Sequence, residues 1–193
     1  MCGFEPLGVY GQAPAHAYHG NMAHFCVNCG VPLEPRLLEG RELEACPRCA
    51  FVLWRDPKVV TVVVVRNERG EVVLGRRGID PGYGHWCLPG GFVNDDEHPV
   101  AAAARECLEE ISAEVEIEQL IGVYHVEKKD APSMVAIGYL ARLRPGARPG
   151  AGEEMLEVAT FPPDRIPELA FSSHHQAMSD WLRNGEQSPA EKK

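Results

Sequence analysis

The sequence predicts an α/β fold with a small metal-stapled module in front of it, on three observations. Apolar runs of strand length, Val59–Val65 foremost, lead into one segment of helical periodicity that opens at Pro99. Two C-x2-C pairs, Cys26/Cys29 and Cys46/Cys49, stand ahead of that pattern. The chain has 193 residues, enough for one buried core and a small accessory module.

Taken in order, residues 1–24 carry Gly, Ala and His but no Lys or Arg, and lack both a basic start and an apolar core segment. They read as a disordered leader and not as a secretory signal, with Met22 a candidate biological start. Residues 25–52 hold the two cysteine pairs, 16 residues apart. That is the spacing at which two knuckles point four thiolates at one tetrahedral zinc ion. Gly30 and Ala50 follow the knuckles, where the backbone must approach closely. Four thiolates leave no position for water, so Zn²⁺ held by Cys26, Cys29, Cys46 and Cys49 is expected to be structural. The competing reading is four unrelated buried or redox thiols. An odd total of seven cysteines without an export signal points to a reducing, cytoplasmic setting.

Residues 55–183 read as the main domain and 184–193 as a disordered tail. Val59–Val65 and Glu71–Arg77 are expected strands joined by the turn Asn67-Glu68-Arg69-Gly70. Trp86–Leu88 leads into Pro89-Gly90-Gly91. Pro99 suits a first helical turn, Ala101–Ala104 favour helix, and Val100, Ala104, Cys107, Leu108 and Ile111 recur at helical spacing.

The composition is that of an ordinary globular protein. Its net charge of −9 argues against a stable nucleic-acid partner, and the arginines of the cysteine module are balanced by glutamates. A seven-residue apolar run is far short of the ~20 needed to cross a bilayer, so no membrane partner is expected. The acid is concentrated: residues 91–118 hold nine carboxylates and one base, Arg105. Within that stretch Glu106, Glu109 and Glu110 stand at i, i+3 and i+4, on one helix face. A solvated face is one explanation. A hard divalent cation, Mg²⁺ or Mn²⁺, is the other, because it cancels the repulsion with the oxygen ligands it prefers.

Residues 91–113, Gly91-Phe-Val-Asn-Asp-Asp-Glu97-His-Pro-Val-Ala-Ala-Ala-Ala-Arg105-Glu106-Cys-Leu-Glu109-Glu110-Ile-Ser112-Ala113, resemble the Nudix box, G-x5-E-x7-R-E-U-x-E-E-x-G-U. Gly91, Glu97, Arg105, Glu106, Glu109 and Glu110 are in register. Ser112 replaces a glycine and Ala113 a bulky apolar residue, departures that touch the helix exit and not the ligands. The resemblance implies a Nudix hydrolase, an α/β/α sandwich with a mixed sheet, here behind a small zinc ribbon. It further implies cleavage of a nucleoside diphosphate linked to another moiety, with Glu106, Glu109, Glu110 and the Gly91 backbone at the metal. Glu97 and Arg105 would orient that cluster, and a homodimer would be usual.

The order of ribbon, Val-rich strand, Pro-Gly-Gly-Phe and box is similar to two zinc-bearing branches. Residues 114–193 contain nothing like the Ser-Gln-Pro-Trp-Pro-Phe-Pro array of the NADH diphosphatase branch. Arg55-Asp56-Pro57-Lys58-Val59-Val60, His85-Trp86-Cys87-Leu88-Pro89 and Leu169-Ala170-Phe171-Ser172-Ser173 look similar to the branch acting on FAD and ADP-ribose. The expected function is therefore metal-dependent pyrophosphohydrolysis of FAD or ADP-ribose. NADH, a nucleotide-sugar, and a non-catalytic nucleotide-sensing module are the alternatives.

Further candidates carry two readings each. Arg76 and Arg77 suit a phosphate clamp or plain surface charge. Tyr83, Trp86 and Phe171 suit stacking on a substrate ring or core packing. Glu154 suits a general base or extra ligand, with Glu153 and Glu157 as rivals. His125 reads as a packed or exposed histidine, the pair His174-His175 as surface, and Cys87 and Cys107 as inert core thiols.

Overall fold

The computed structural model describes residues 24–128 and 132–186, so all but His24 of the leader expected at 1–24, and most of the tail expected at 184–193, lie outside the described residues. The chain divides between Arg55 and Asp56 into two compact units.

The first unit is a three-stranded antiparallel sheet, β1 (Glu34–Leu38), β2 (Arg41–Ala45) and β3 (Val52–Leu53). Leu38 pairs with Arg41 across a two-residue turn in which Glu39 and Gly40 both take positive φ, the turn whose twist matches a hairpin. Besides Ala45, the buried interior amounts to Cys26, Leu33 and Cys46, ringed by Cys29, Val31, Cys49, Phe51 and Leu53. Half of that set is thiol. Little core exists here apart from the cluster itself.

The second unit begins with β4 (Lys58–Arg66), β5 (Val72–Arg77) and β6 (Trp86–Cys87). Then come α1 (Pro99–Ile111), β7 (Val115–Val126), β8 (Met134–Leu143) and β9 (Met155–Phe161). A 3-10 turn (Pro163–Arg165) and α2 (Ser172–Glu186) complete it. The sheet is mixed. Its order is β6-β5-β4-β8-β7, with β9 on the other edge of β5, and only β4–β8 is parallel. The valine run of β4 lies at the centre and is buried on both faces, which is why it reads as continuous rather than alternating. Val63, Val65 and Val73 meet Ala103, Cys107 and Ile111 of α1 on one face. Val62, Val64, Val72 and Leu74 meet Ala177 and Met178 of α2 on the other. This is the α/β/α sandwich in residue terms.

His98 caps α1, its Nδ1 accepting from the Val100 N–H at 3.2 Å, with Pro99 in the first turn. α1 buries Ala102 together with Ala103, Cys107, Glu110 and Ile111, the last four spaced i, i+4, i+7, i+8, while Val100 and Leu108 of the expected stripe face outward. Glu110 is thereby carried to the inside. Ser112 ends the helix in the left-handed region at φ 49, ψ 33. Ser112→Gly should remove a strain of ~1 kcal/mol and raise the melting temperature by about 2–4 °C in a chain this long. Thermal unfolding followed by circular dichroism checks this, and an unchanged midpoint would contradict it.

Candidate active site

β5 stays beside β4 for only two residue pairs, Val65 with Val73 and Arg66 with Val72. Beyond that point the Leu88–Val93 strap takes over the exposed edge of β4. Val63 N–H donates to Pro89 O, Thr61 N–H to Gly91 O (both 2.8 Å) and Val93 N–H to Val59 O (3.0 Å). The approach is so close that a Cβ on Gly90, at φ 152, would lie 2.1 Å from Thr61 O. A Cβ on Gly91 would lie 2.5 Å from the Glu106 carboxylate. The double glycine thus lets the strap pass between the central strand and the carboxylate helix.

Arg105 gathers the acidic residues. Its Nη2 and Nε donate to the two oxygens of Glu97 at 2.7 and 3.1 Å, and Nη1 donates to Glu106 at 2.8 Å and Glu109 at 3.0 Å. Nη2 also donates to Phe92 O. The Arg105 fork holds the Glu97 carboxyl below its usual range, helped by the Asn94 N–H. Glu110 sits deeper, accepting the Gly90 N–H at 2.9 Å. Burial pushes its carboxyl up to about 8, against the pull of Gly90, and the Glu106 charge adds to the rise. Burial likewise raises Glu106, while Arg105 opposes and the charges of Glu109 and Glu154 add.

Glu154 reaches this group because the loop before β9 is stitched to the end of α1. Gly150 N–H donates to Ile111 O and Gly152 N–H to Glu110 O, satisfying helix carbonyls that have no helical partner. A Cβ on Gly152 would lie 1.8 Å from Glu109 O, so this seam also requires glycine. Glu154 O then accepts from Gly78 N–H at 2.7 Å, tying the loop to the end of β5. Of the three rivals, Glu153 and Glu154 line the cleft, whereas Glu157 pairs with Arg76 at 3.1 Å.

The cleft holds about 870 Å³, and its walls include Arg77, Gly91, Arg105, Glu106, Glu109 and Glu110. Phe171 and His174 line it as well, with the Arg77 guanidinium 5.1 Å above the Phe171 ring. Arg76 and Trp86 do not line it. Trp86 stacks edge-on against Phe161 at 4.9 Å within the core, so of its two readings the packing one matches its place. Tyr83 and His125 are exposed away from the cleft, and Cys87 and Cys107 are buried with their thiols pushed up by desolvation. His174 corrects the surface reading of the histidine pair: it is 7% exposed, while His175 is open. Nothing in its sequence context signalled this, because its burial comes from α2 docking on Leu88.

The donor set suits a hard divalent cation: three carboxylates in graded burial, two of them raised by that burial and by their neighbours' charge. Each is held by Arg105 or Gly90. Among the described residues, only the four cysteines form a group whose ligand atoms all lie within 4.8 Å of one another. In that group Cys26 and Cys49 face each other at 3.5 Å, as do Cys29 and Cys46. Burial pushes the Cys46 thiol up, but the N–H groups of Arg48 and Cys49 and the neighbouring thiols outweigh it, bringing it to about 6. A thiol so poised is a ready ligand for zinc.

Comparison with known proteins follows the same lines. The family model described as NUDIX domain matches residues 56–182. An ADP-ribose pyrophosphatase of Methanocaldococcus jannaschii is 28% identical over 155 residues, covering 80% of this chain and 87% of its own. A NAD-capped RNA hydrolase of Stutzerimonas stutzeri is 26% identical over 145 residues, 75% of this chain but 50% of its own length. Among solved structures, a NUDIX hydrolase from Nitrosomonas europaea superposes with a TM-score of 0.75 at 34% identity, covering 87% of this chain and 96% of that one.

Proposed function

From the premise that the chain belongs to the NUDIX family of acid-anhydride hydrolases, we propose that it is a metal-dependent pyrophosphohydrolase cleaving the P–O–P link of ADP-ribose, with FAD as the related candidate. The observation that carries this reading is the carboxylate face Glu106, Glu109 and Glu110 set in one cleft with Arg77 and Phe171. The likeness to the archaeal ADP-ribose pyrophosphatase supports the choice of leaving group.

In this reading Glu106, Glu109 and Glu110 would hold Mg²⁺ or Mn²⁺, and the Gly91 backbone, whose carbonyl accepts from Thr61 N–H and Thr61 Oγ1, is the further candidate oxygen. Such an ion supplies neutralisation of the diphosphate charge and activation of water. Arg105 and Glu97 keep the carboxylates in place. Arg77 takes a non-bridging phosphate oxygen through its fixed fork, and Phe171 offers a ring face to the adenine. Glu154 accepts the proton of the attacking water. Arg76 and Trp86 support this wall from behind. Residues 25–52 act as a structural zinc ribbon and 55–183 as the hydrolase domain of a cytoplasmic homodimer.

The test is a hydrolysis panel of ADP-ribose, FAD, NADH and UDP-glucose with Mg²⁺ or Mn²⁺, with magnesium-free controls, and light scattering for the oligomer. ADP-ribose should give AMP and ribose 5-phosphate. Preference for NADH would overturn the substrate assignment, and inertness toward every diphosphate would overturn the enzymatic one.

A further inference from the structure

His174 is a buried histidine that the chemistry above leaves unused. Its Nδ1 accepts the Leu88 N–H at 3.1 Å. A ring nitrogen that accepts carries no proton, so the neutral ring must bear its hydrogen on Nε2. Nε2 has no hydrogen-bond partner among the described residues. It is not sealed either: among the described residues the fully buried side-chain atoms without partners are Arg66 Nε and Arg76 Nε. His174 lines the cleft, and with Nδ1 taken by Leu88 its Nε2–H is the ring donor left to serve it.

The surroundings say what such a donor meets. The Phe171 ring lies 5.0 Å from the His174 ring at 67°, and Arg77 lies over the same Phe171. Arg77 and His174 therefore flank one aromatic platform in the cleft that the carboxylates also line. Leu88 adjoins the strap whose Gly90 N–H holds Glu110, so His174 and the carboxylate face are referenced to one stretch of backbone. A second cation beside Arg77 would be repelled. A neutral N–H adds a hydrogen bond to an anionic oxygen without that cost.

Resting on the diphosphate reading of the cleft, we propose that His174 is a substrate-binding residue, fixed by Leu88 in its Nε2–H form, that donates to a non-bridging phosphate oxygen shared with Arg77. Burial, with the charges of Arg77 and His175, pushes the imidazole down to about 3, so the donor keeps one form throughout the neutral range.

Two variants separate this from a purely structural role, because Asn matches the δ position of histidine and Gln the ε position. H174N keeps an acceptor for Leu88 N–H and loses the donor; H174Q keeps a donor and orphans Leu88 N–H. The probe is methylenediphosphonate with Mg²⁺, which carries the two phosphoryl groups common to every candidate substrate, read by calorimetry beside the melting temperature. H174N should bind about tenfold or more weakly with a melting temperature near wild type, the loss of one hydrogen bond to a charged group. H174Q should recover most of the affinity and melt lower. Wild-type affinity in H174N, affinity falling in step with melting temperature in both variants, or a wild-type protein that does not bind the probe would each overturn the proposal. Failure to hydrolyse ADP-ribose alone would overturn the leaving-group assignment and leave this comparison intact.

Discussion

Glu110→Gln is expected to abolish turnover and, in the same protein, to raise the melting temperature. The activity loss follows from removing a charged ligand of the proposed cation. An ion that stabilises the transition state by several kcal/mol and loses its deepest carboxylate should cost about 10³-fold in kcat. The stability gain follows from burial. Glu110 lies on the inner face of α1, and desolvation raises its carboxyl from the usual 4.5 to about 8. Below about pH 4.5 it is protonated in both the folded and unfolded chain and contributes no pH-dependent cost. Between those values the folded protein binds the extra proton, so stability falls as pH rises, and above about 8 the full cost of a buried charge is present. Gln carries no charge at any pH and can still accept the Gly90 N–H. The gain should therefore be absent near pH 4, grow through neutrality, and reach about 4 °C or more above pH 8, measured by thermal unfolding without added divalent cation. Adding Mg²⁺ should stabilise the wild type more than the variant. A variant within tenfold of wild-type kcat, or one less stable at pH 8, would contradict the account.

Cys46→Ser should unfold the first unit and leave the second folded. The interior of the first unit is four residues, Cys26, Leu33, Ala45 and Cys46, and an apolar core of that size cannot offset the ordering of some thirty residues. In such modules the binding of zinc supplies the folding free energy, about 10–16 kcal/mol at neutral pH. Wild-type protein should carry one zinc per chain by atomic absorption, and the variant none. Amide resonances of residues 24–53 should collapse to unfolded positions in the variant, while those of the valine-rich strands stay dispersed. Native dispersion of the first unit in metal-free protein would show that it has another source of stability.

How far these features were legible depends on how local their causes are. The carboxylate set was readable because Gly91, Glu97, Arg105, Glu106, Glu109 and Glu110 keep fixed offsets along one strap and one helix, and the cysteine pairs for the same reason. The valine run identified a central strand because burial on both faces leaves no alternation. What escaped is non-local. The burial of His174 depends on α2 packing on Leu88, a residue 86 positions away in the chain. Glu154 is a candidate by sequence, but what separates it from Glu157 is a loop pinned by the Glu110 and Ile111 carbonyls, which the residues alone do not announce. The outward turn of Val100 and Leu108 is a smaller case. Helical spacing marks a stripe, but which residues face the sheet is fixed by the sheet, and it brings Glu110 inside in their place.

The parallel ladder of β4 and β8 bears on how fast the molecule assembles. Lys58 through Arg66 pair with Met134 through Arg142, and between them the chain must lay down β5, β6, α1 and β7. Closing so long a span costs chain entropy before the central contacts repay it, which places refolding of this unit in the slow range of milliseconds to seconds. The helix bearing the carboxylates consists of local contacts and can form on its own far sooner. Its seat against Val63 and Val65 exists only once the ladder has closed, so recovery of activity on refolding should track the sheet and lag the helix.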